Sequence, residues 1–183
     1  ALGNVAFLRT RIEFIESLFA ENEISEIWIT FADPQIGREK KRLTAPLFMN
    51  RYRNFLCKGG IIHLKTDSRY LHEYSLAMAQ QNDLHILAAA TDIYGADRER
   101  LYDSELSSIC GRAAVDALFE VQTFYESQYL AQGFPITYLS FLADHDGDYL
   151  SPEWAEDLWK DEGHHFVIPS GLAVASKFYP EGQ

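Results

Sequence analysis

An alternation of short apolar runs with amphipathic stretches is the feature that most constrains how this chain folds. Three runs predict buried strands, namely residues 26–31 (EIWITF), 60–66 (GIIHLKT) and 84–89. Between them, residues 44–56 and 69–80 have apolar side chains at helical spacing, and Lys58-Gly59-Gly60 is predicted to close the first of these helices. Strands and helices that alternate through short connections predict a mostly parallel sheet with helices on both faces.

The two ends of the pattern are less regular. Residues 4–8 (NVAFL) predict a strand and residues 12–19 a helix. After a polar connection, the apolar spacing predicts one helix over residues 112–132, and residues 135–142 (PITYLSFL) predict a closing strand. The polar connection at 91–111 is interpreted as an insertion or a long loop.

The last forty residues differ from the rest in composition. Residues 144–183 hold nine acids, two lysines and three of the six prolines. We therefore expect an α/β domain over residues 1–142 and an acidic extension or small subdomain over residues 143–183. No apolar run reaches the ~18 residues of a membrane-spanning helix, no basic and apolar leader is present, and Cys57 and Cys110 are too few for a disulfide framework. These features predict a soluble, cytoplasmic protein with no membrane partner.

Charge is distributed unevenly. The net charge is −11, but residues 34–66 carry eight basic residues and one acid, so this segment has +7 and the remainder −18. A basic island on an acidic body is typical of a local surface that contacts nucleic-acid phosphates. The alternative is an ordinary solvated helix start with extended lysine side chains.

Two acids follow predicted strands directly. Asp33 comes after residues 26–31, and Asp67 comes after residues 60–66. Because ligands of parallel α/β sheets bind beyond the carboxyl ends of the strands, both are candidate site residues. The alternative, which is stronger for Asp67, is that each aspartate caps the helix that follows.

Three motifs in order resemble those of one family. Residues 29–35 (ITFADPQ) and 40–44 (KKRLT) resemble the F-P-D-P signature and basic loop of the tRNA (guanine-N7)-methyltransferases, residues 63–67 (HLKTD) are similar to their strand-end T-D, and residues 123–126 (TFYE) to their T-x-Y-E. Gly133, Pro135, Ile136 and Tyr138 follow in the closing strand. The resemblance implies a Rossmann-like methyltransferase sheet that transfers a methyl group from S-adenosylmethionine to N7 of a guanine in tRNA, in the family a variable-loop guanine.

The resemblance also assigns roles to residues. Asp33 matches the active-site aspartate between donor and base, and Phe31, Asp33 and Pro34 match donor-contacting positions. Substrate-contacting positions are matched by Asp67, Thr123, Glu126, Arg38, Lys40, Lys41 and Arg42, of which Lys40, Lys41 and Arg42 match the RNA-contacting loop. The Thr123/Glu126 spacing is equally that of a capping box, which is the interpretation this motif favours in isolation.

The sequence departs from the family pattern at three places. Ala32 replaces the first proline of F-P-D-P, and Gly37 stands where the family has a substrate-binding lysine. The only glycine before Asp33 is Gly3, so the glycine-rich turn of the donor site is absent from the sequence. Since residues 4–8 resemble the family's third strand, we expect the first strands to be missing. Of the two explanations, a fragment of a longer chain and a degenerate relative of the family, we favour the fragment.

Two other functions stay open. A non-catalytic RNA-binding or partner module would keep the guanine pocket and the basic loop without methyl transfer. A metal-dependent hydrolase would use Asp144, His145, Asp146 and Asp148 with His164 and His165. The spacing of these acids fails the calcium-loop pattern, and we expect S-adenosylmethionine as the methyl donor and no metal.

Overall fold

The computed structural model describes residues 3–153 and contains a four-stranded sheet with helices. The strands are β1 (Ile24–Thr30), β2 (Leu56–Thr66), β3 (Ile86–Ala90) and β4 (Thr137–Leu142). The α-helices of this part are α1 (Pro46–Tyr52), α2 (Arg69–Gln81), α3 (Arg98–Tyr102), α4 (Glu105–Cys110), α5 (Arg112–Glu120) and α6 (Phe124–Ala131). Two short 3₁₀ helices cover Ile12–Ser17 and Glu39–Lys41.

The strand order is β1-β2-β4-β3. β1 and β2 are parallel, with Thr30 beside Lys65, whereas β4 is antiparallel to both of its neighbours. Three strands therefore run in one direction and the last strand is inserted against them. This confirms the predicted Rossmann-like sheet with a closing strand.

Each face of the sheet has its own core. One core joins α1 and α2 to the sheet and includes Phe48, Tyr74 and Leu64, whereas the other joins α3, α4 and α5 to it and includes Val115 and Ile61. Ile61 and Leu64 alternate between the two faces because successive side chains of a strand point in opposite directions. The prediction of helices on both faces is confirmed.

Two predicted elements at the amino end are wrong or shortened. Residues 4–8 form no strand and join no sheet in the described chain, and Phe7 is 97% exposed. A strand needs a partner for its backbone groups, so apolar composition alone does not create one. The helix predicted over 12–19 is the shorter 3₁₀ helix Ile12–Ser17.

The Lys58-Gly59-Gly60 run does not close a helix. Helix α1 ends at Tyr52, and these three residues lie inside β2, where the pairing with β1 shifts register. Gly59 has φ +74°, and a Cβ on Gly60 would lie 2.4 Å from Leu56 Cγ. The glycines thus permit an irregular start of β2. In the sequence, the same Lys-Gly-Gly run is indistinguishable from a helix-ending signal.

The single helix predicted over 112–132 is two helices. Val121 is extended, with φ −93° and ψ 95°, and Thr123 begins α6 as its N-cap. The polar connection before it, at 91–111, holds α3 and α4. The apolar residues of the two helices have the spacing of one continuous helix, so hydrophobic periodicity alone did not reveal this break.

Part of the predicted extension packs on the domain. Tyr149 is 4% exposed and belongs to the α1/α2 core, and its hydroxyl donates to Ala143 O at 2.8 Å. The domain boundary at residue 142 stays a prediction. Residues 154–183, with His164 and His165, lie outside the described residues. Within residues 3–153, no helix has the length and apolar character needed to cross a membrane.

Candidate functional site at the carboxyl edge of the sheet

The carboxyl ends of β1 and β2 lie side by side. Their parallel register pairs Thr30 with Lys65, so the segments that follow leave the sheet at the same edge. Asp33 is in the first of these segments and Asp67 in the second. The placement expected from the sequence is therefore observed, although the roles of both acids stay predictions.

The backbone around Asp33 is strained. Phe31 and Gln35 both have φ +50°, in the left-handed region that costs a non-glycine residue about 1–2 kcal/mol. Phe31 N donates to Lys65 O at 2.8 Å, and Gln35 N donates to Asp33 Oδ1 at 2.8 Å. Asp33 itself is exposed between them. Strain on both sides of an exposed carboxylate is typical of a functional loop.

The basic loop divides into an outer and an inner part. Arg38, Lys40 and Lys41 are exposed, whereas Arg42 is fully buried. The Arg42 guanidinium donates to Pro34 O at 3.1 Å and to Gln35 O at 3.2 Å, and it also contacts the Tyr70 hydroxyl. Direct RNA contact stays a prediction for all four residues, but the burial of Arg42 favours a role inside the loop.

Two aromatic rings enclose the Arg42 side chain. Its Cζ lies 4.8 Å from the ring centroid of Tyr70 and 4.4 Å from that of Tyr74. The Tyr74 hydroxyl donates to Glu39 Oε1 at 2.6 Å, and burial together with this carboxylate raises the pKa of Tyr74. Glu39, the one acid of the basic segment, thus ties the loop to α2.

The remaining basic residues of residues 34–66 do not form one surface. Arg51 lies 3.5 Å from Glu16, and Arg53 binds the carbonyls of His145 and Gly147. Lys58 is exposed at the start of β2, at the opposite edge of the sheet from Asp33. Lys65 is 4% exposed. The basic island of the sequence is therefore reduced to the exposed residues of one loop.

Asp67 does not cap α2. Ser68 is the N-cap, and its hydroxyl accepts from Leu71 N at 3.1 Å. Burial raises the pKa of Asp67, which means that the protein pays to keep this carboxylate charged. Burial and the nearby Asp67 and Tyr125 also raise the pKa of Tyr129, a residue of α6. Tyr129, in the carboxyl half of α6, therefore lies near Asp67.

Thr123 and Glu126 form the capping box that the motif favoured. Thr123 Oγ1 accepts from Glu126 N at 3.1 Å, and Thr123 N donates to Glu126 Oε2 at 3.3 Å. The Glu126 side chain is fully buried, and its Oε1 lies 2.7 Å from Lys65 Nζ and accepts from the Tyr94 hydroxyl at 2.7 Å. Burial raises the pKa of Tyr94 most, and the hydrogen bond to the Glu126 carboxylate raises it further. The substrate-contacting roles of Thr123 and Glu126 stay predictions.

Lys65 and Tyr94 are residues that sequence reasoning missed. Lys65 Nζ also donates to Leu118 O at 2.7 Å, so it joins β2 to the end of α5 as well as to α6. The available signal was its position inside an apolar strand, because a lysine buried there requires a charged or carbonyl partner. The tyrosine gave no comparable signal.

Among residues 3–153, no cluster of three or more His, Cys, Asp and Glu side chains could hold a metal ion. Asp144 Oδ1 accepts from Gly59 N at 2.9 Å, and His145 Nε2 lies 3.3 Å from Asp148 O. The first contact joins this polar turn to β2, and the second lies within the turn. The other proposed ligands, His164 and His165, lie outside the described residues.

A Rossmann-like sheet with two acids at its carboxyl edge and an inserted antiparallel strand defines a class of α/β proteins that bind ligands at that edge. Residues 1–102 match a family described as "Putative methyltransferase". A tRNA (guanine-N(7)-)-methyltransferase of Bacteroides fragilis is 43% identical over 174 residues, which cover 95% of this chain and 63% of the relative. The chain belongs to the methyltransferase family that residues 1–102 match, and it is similar to proteins named tRNA (guanine-N(7)-)-methyltransferase.

Other relatives with the same name agree. The protein of Christiangramia forsetii is 49% identical over 142 residues, covering 76% of this chain and 57% of the relative. That of Porphyromonas gingivalis is 39% identical over 153 residues, covering 83% and 57%. The chain thus spans about three fifths of the length of the curated relatives it matches.

Proposed function

We propose that this chain provides the base- and tRNA-facing part of a tRNA (guanine-N7)-methyltransferase that uses S-adenosylmethionine. One observation carries the proposal: Asp33 is exposed at the carboxyl edge of the parallel strand pair, between two residues held in left-handed conformations. Its position also matches the aspartate of the family signature. The names of the relatives support the same reaction.

The proposed chemistry requires little of the protein besides alignment and charge. Guanine N7 has a free lone pair, so its in-line attack on the methyl carbon, with the donor sulfur leaving as a thioether, would need no general base. The purine gains positive charge as the new bond forms, and the Asp33 carboxylate would stabilise that charge more in the transition state than in the ground state. Carboxylates can also accept from the N1–H and N2–H₂ edge of guanine, which adenine lacks, and we assign this role to Asp67.

The methyl donor would meet the same loop. When bound, S-adenosylmethionine supplies an electrophilic methyl group on a sulfonium. Phe31, Asp33 and Pro34 are the described residues we assign to it, since they occupy the strand end beside the proposed base site. We assign no contacts to the adenosyl group, because the only glycine before Asp33 is Gly3 and no glycine-rich turn precedes the loop in the sequence.

The exposed cations of the loop would bind tRNA. Arg38, Lys40 and Lys41 lie within nine residues of Asp33 and face solvent, as residues that contact phosphates must. A variable-loop guanine is the proposed target because the family resemblance implies it. A tRNA-modifying enzyme of this type would work in the cytoplasm.

The test measures 7-methylguanosine by mass spectrometry after incubating the complete natural chain with tRNA and S-adenosylmethionine. Asp33→Asn should lower kcat by about 10²–10³-fold, since it removes one charge at the reacting base, and should leave tRNA affinity within about twofold. Asp146→Asn is the matched control, because Asp146 is exposed after β4 at the opposite edge of the sheet.

Two outcomes would contradict the proposal. Normal turnover by Asp33→Asn would remove its role from that residue. A natural chain that binds tRNA in a strongly salt-dependent way but forms no 7-methylguanosine would instead be the non-catalytic RNA-binding module.

A further inference from the structure

We propose that Arg42 is a positioning residue that fixes the Asp33 carboxylate for methyl transfer, and that it does not contact tRNA. The proposal rests on the proposed function and deepens it. The sequence places Arg42 in a run of basic residues with Lys40 and Lys41, which suggests one shared role. The structure separates them, because the two lysines are exposed and Arg42 has no exposed surface.

Arg42 makes hydrogen bonds directly to the loop that carries Asp33. Its Nε donates to Pro34 O at 3.1 Å, and its Nη2 donates to Gln35 O at 3.2 Å. Both carbonyls belong to the two residues that follow Asp33. The Gln35 amide in turn donates to Asp33 Oδ1 at 2.8 Å. One residue therefore separates the guanidinium from the carboxylate that we place at the reacting base.

The conformation of Gln35 explains why such a support is needed. Gln35 has φ +50°, a left-handed backbone conformation that is unfavourable for residues other than glycine. Other contacts must therefore hold Gln35 in this conformation. If Gln35 relaxed, its amide would turn away from Asp33 Oδ1, and the carboxylate would lose its fixed direction. The bond from Arg42 to Gln35 O opposes that change.

The surroundings of Arg42 hold it in one orientation. Its guanidinium contacts the Tyr70 hydroxyl, and Cζ lies 4.8 Å and 4.4 Å from the ring centroids of Tyr70 and Tyr74. Arginine suits this position because its planar fork donates to separate acceptors while its faces pack on aromatic rings. Lysine keeps the charge but offers neither the fork nor the flat faces.

Kinetics and salt-dependent binding distinguish a positioning residue from a phosphate contact. In the complete natural chain, Arg42→Lys should lower kcat about tenfold or more, because small misplacements of reacting groups are costly. Its tRNA Kd should stay within about twofold, and the slope of log Kd against log salt concentration should not change. Lys40→Ala is the matched variant, since loss of a phosphate contact weakens binding and lowers that slope by about one.

A structural readout keeps this test independent of the reaction. Hydrogen exchange at the Gln35 amide should become faster in Arg42→Lys, since the bond to Asp33 Oδ1 is then poorly held. If Arg42→Lys does not fold, Tyr70→Phe replaces it. That variant removes the hydroxyl contact and keeps the ring, and we expect a smaller fall in kcat with the same unchanged salt slope.

The results that overturn the proposal are specific. Unchanged kcat and unchanged Gln35 exchange in Arg42→Lys, or a reduced salt slope with normal kcat at saturating tRNA, would show that Arg42 does not position Asp33. Absence of 7-methylguanosine from the wild-type chain would refute the proposed function instead. Unchanged exchange at Gln35 would refute the positioning role even then.

Discussion

The loop after β1 and the corner before α6 both lie at the carboxyl edge of the sheet. Each combines an acid with a buried cation, but in opposite ways. In the loop, Arg42 is buried on carbonyls and rings while Asp33 remains exposed. At the corner, Lys65 and Glu126 are both buried and lie 2.7 Å apart. The loop keeps its carboxylate available to a ligand, whereas the corner uses its carboxylate to join α6 to β2.

The comparison teaches that a motif residue can be required for two different reasons. Loss of Asp33 should affect chemistry and leave folding intact, because its side chain accepts one local amide bond. Loss of Glu126 should affect folding first, because its carboxylate binds a lysine, a tyrosine hydroxyl and its own helix cap. Four predictions test this contrast, in order of decreasing effect.

Glu126→Ala should lower the free energy of unfolding by about 3–5 kcal/mol, since it leaves the Lys65 ammonium buried without its acid. Urea denaturation of the complete natural chain measures this change. Asp33→Asn is the control and should stay within about 0.5 kcal/mol of wild type.

The double variant Lys65→Met/Glu126→Leu sharpens the same comparison. It removes both charges and should recover much of the stability lost in Glu126→Ala, because apolar groups of similar volume can replace a buried ion pair. If the double variant loses as much free energy of unfolding as Lys65→Met and Glu126→Leu lose in sum, the two side chains act independently.

Thr123→Ala should lower the free energy of unfolding by about 1 kcal/mol, because α6 loses the side-chain acceptor at its N-cap. Thr123→Ser keeps the hydroxyl and should restore most of the loss. Thermal unfolding compares the two variants with wild type. Equal stability of wild type and Thr123→Ala would mean that the cap contributes nothing measurable.

Asp67→Asn should raise stability at neutral pH by about 0.5–1 kcal/mol, a size common when a costly functional group is removed. Burial raises the pKa of Asp67 in the folded state above its value in the unfolded state. The folded state therefore loses stability as the pH rises from the unfolded pKa to the folded pKa. The gain should therefore be present at pH 7.5 and disappear as pH falls below the unfolded pKa of about 4. Melting temperatures at several pH values would show it; destabilisation at pH 7.5 would contradict the assigned cost.

Sequence patterns predicted the centre of the sheet better than its periphery. β1, β2 and α2 were located closely because an apolar strand run and an amphipathic helix keep their periodicity wherever they pack. Residues 4–8 had the same apolar character, yet they form no strand. Whether they form a strand depends on a neighbouring strand that hydrogen-bonds to their backbone groups, and no local pattern contains that information.

The candidate site divides in a similar way. The placement of Asp33 and Asp67 at one edge follows from strand order and direction, and the sequence was sufficient for it. The burial of Arg42 between two rings of α2 was not predictable, since its neighbours in the sequence are exposed lysines. Nor was the Lys65–Glu126 pair, whose members are separated by 61 positions.

By itself, the sequence determined the α/β class, the acids at the strand ends, the capping box and the family. Each of these depends on residue type and short-range spacing, which the chain carries before it folds. Only the tertiary structure decided which basic residues face solvent and which acid is committed to an internal bond. Burial and pairing of charges depend on side chains that meet across the fold, where desolvation requires every charge to find a partner.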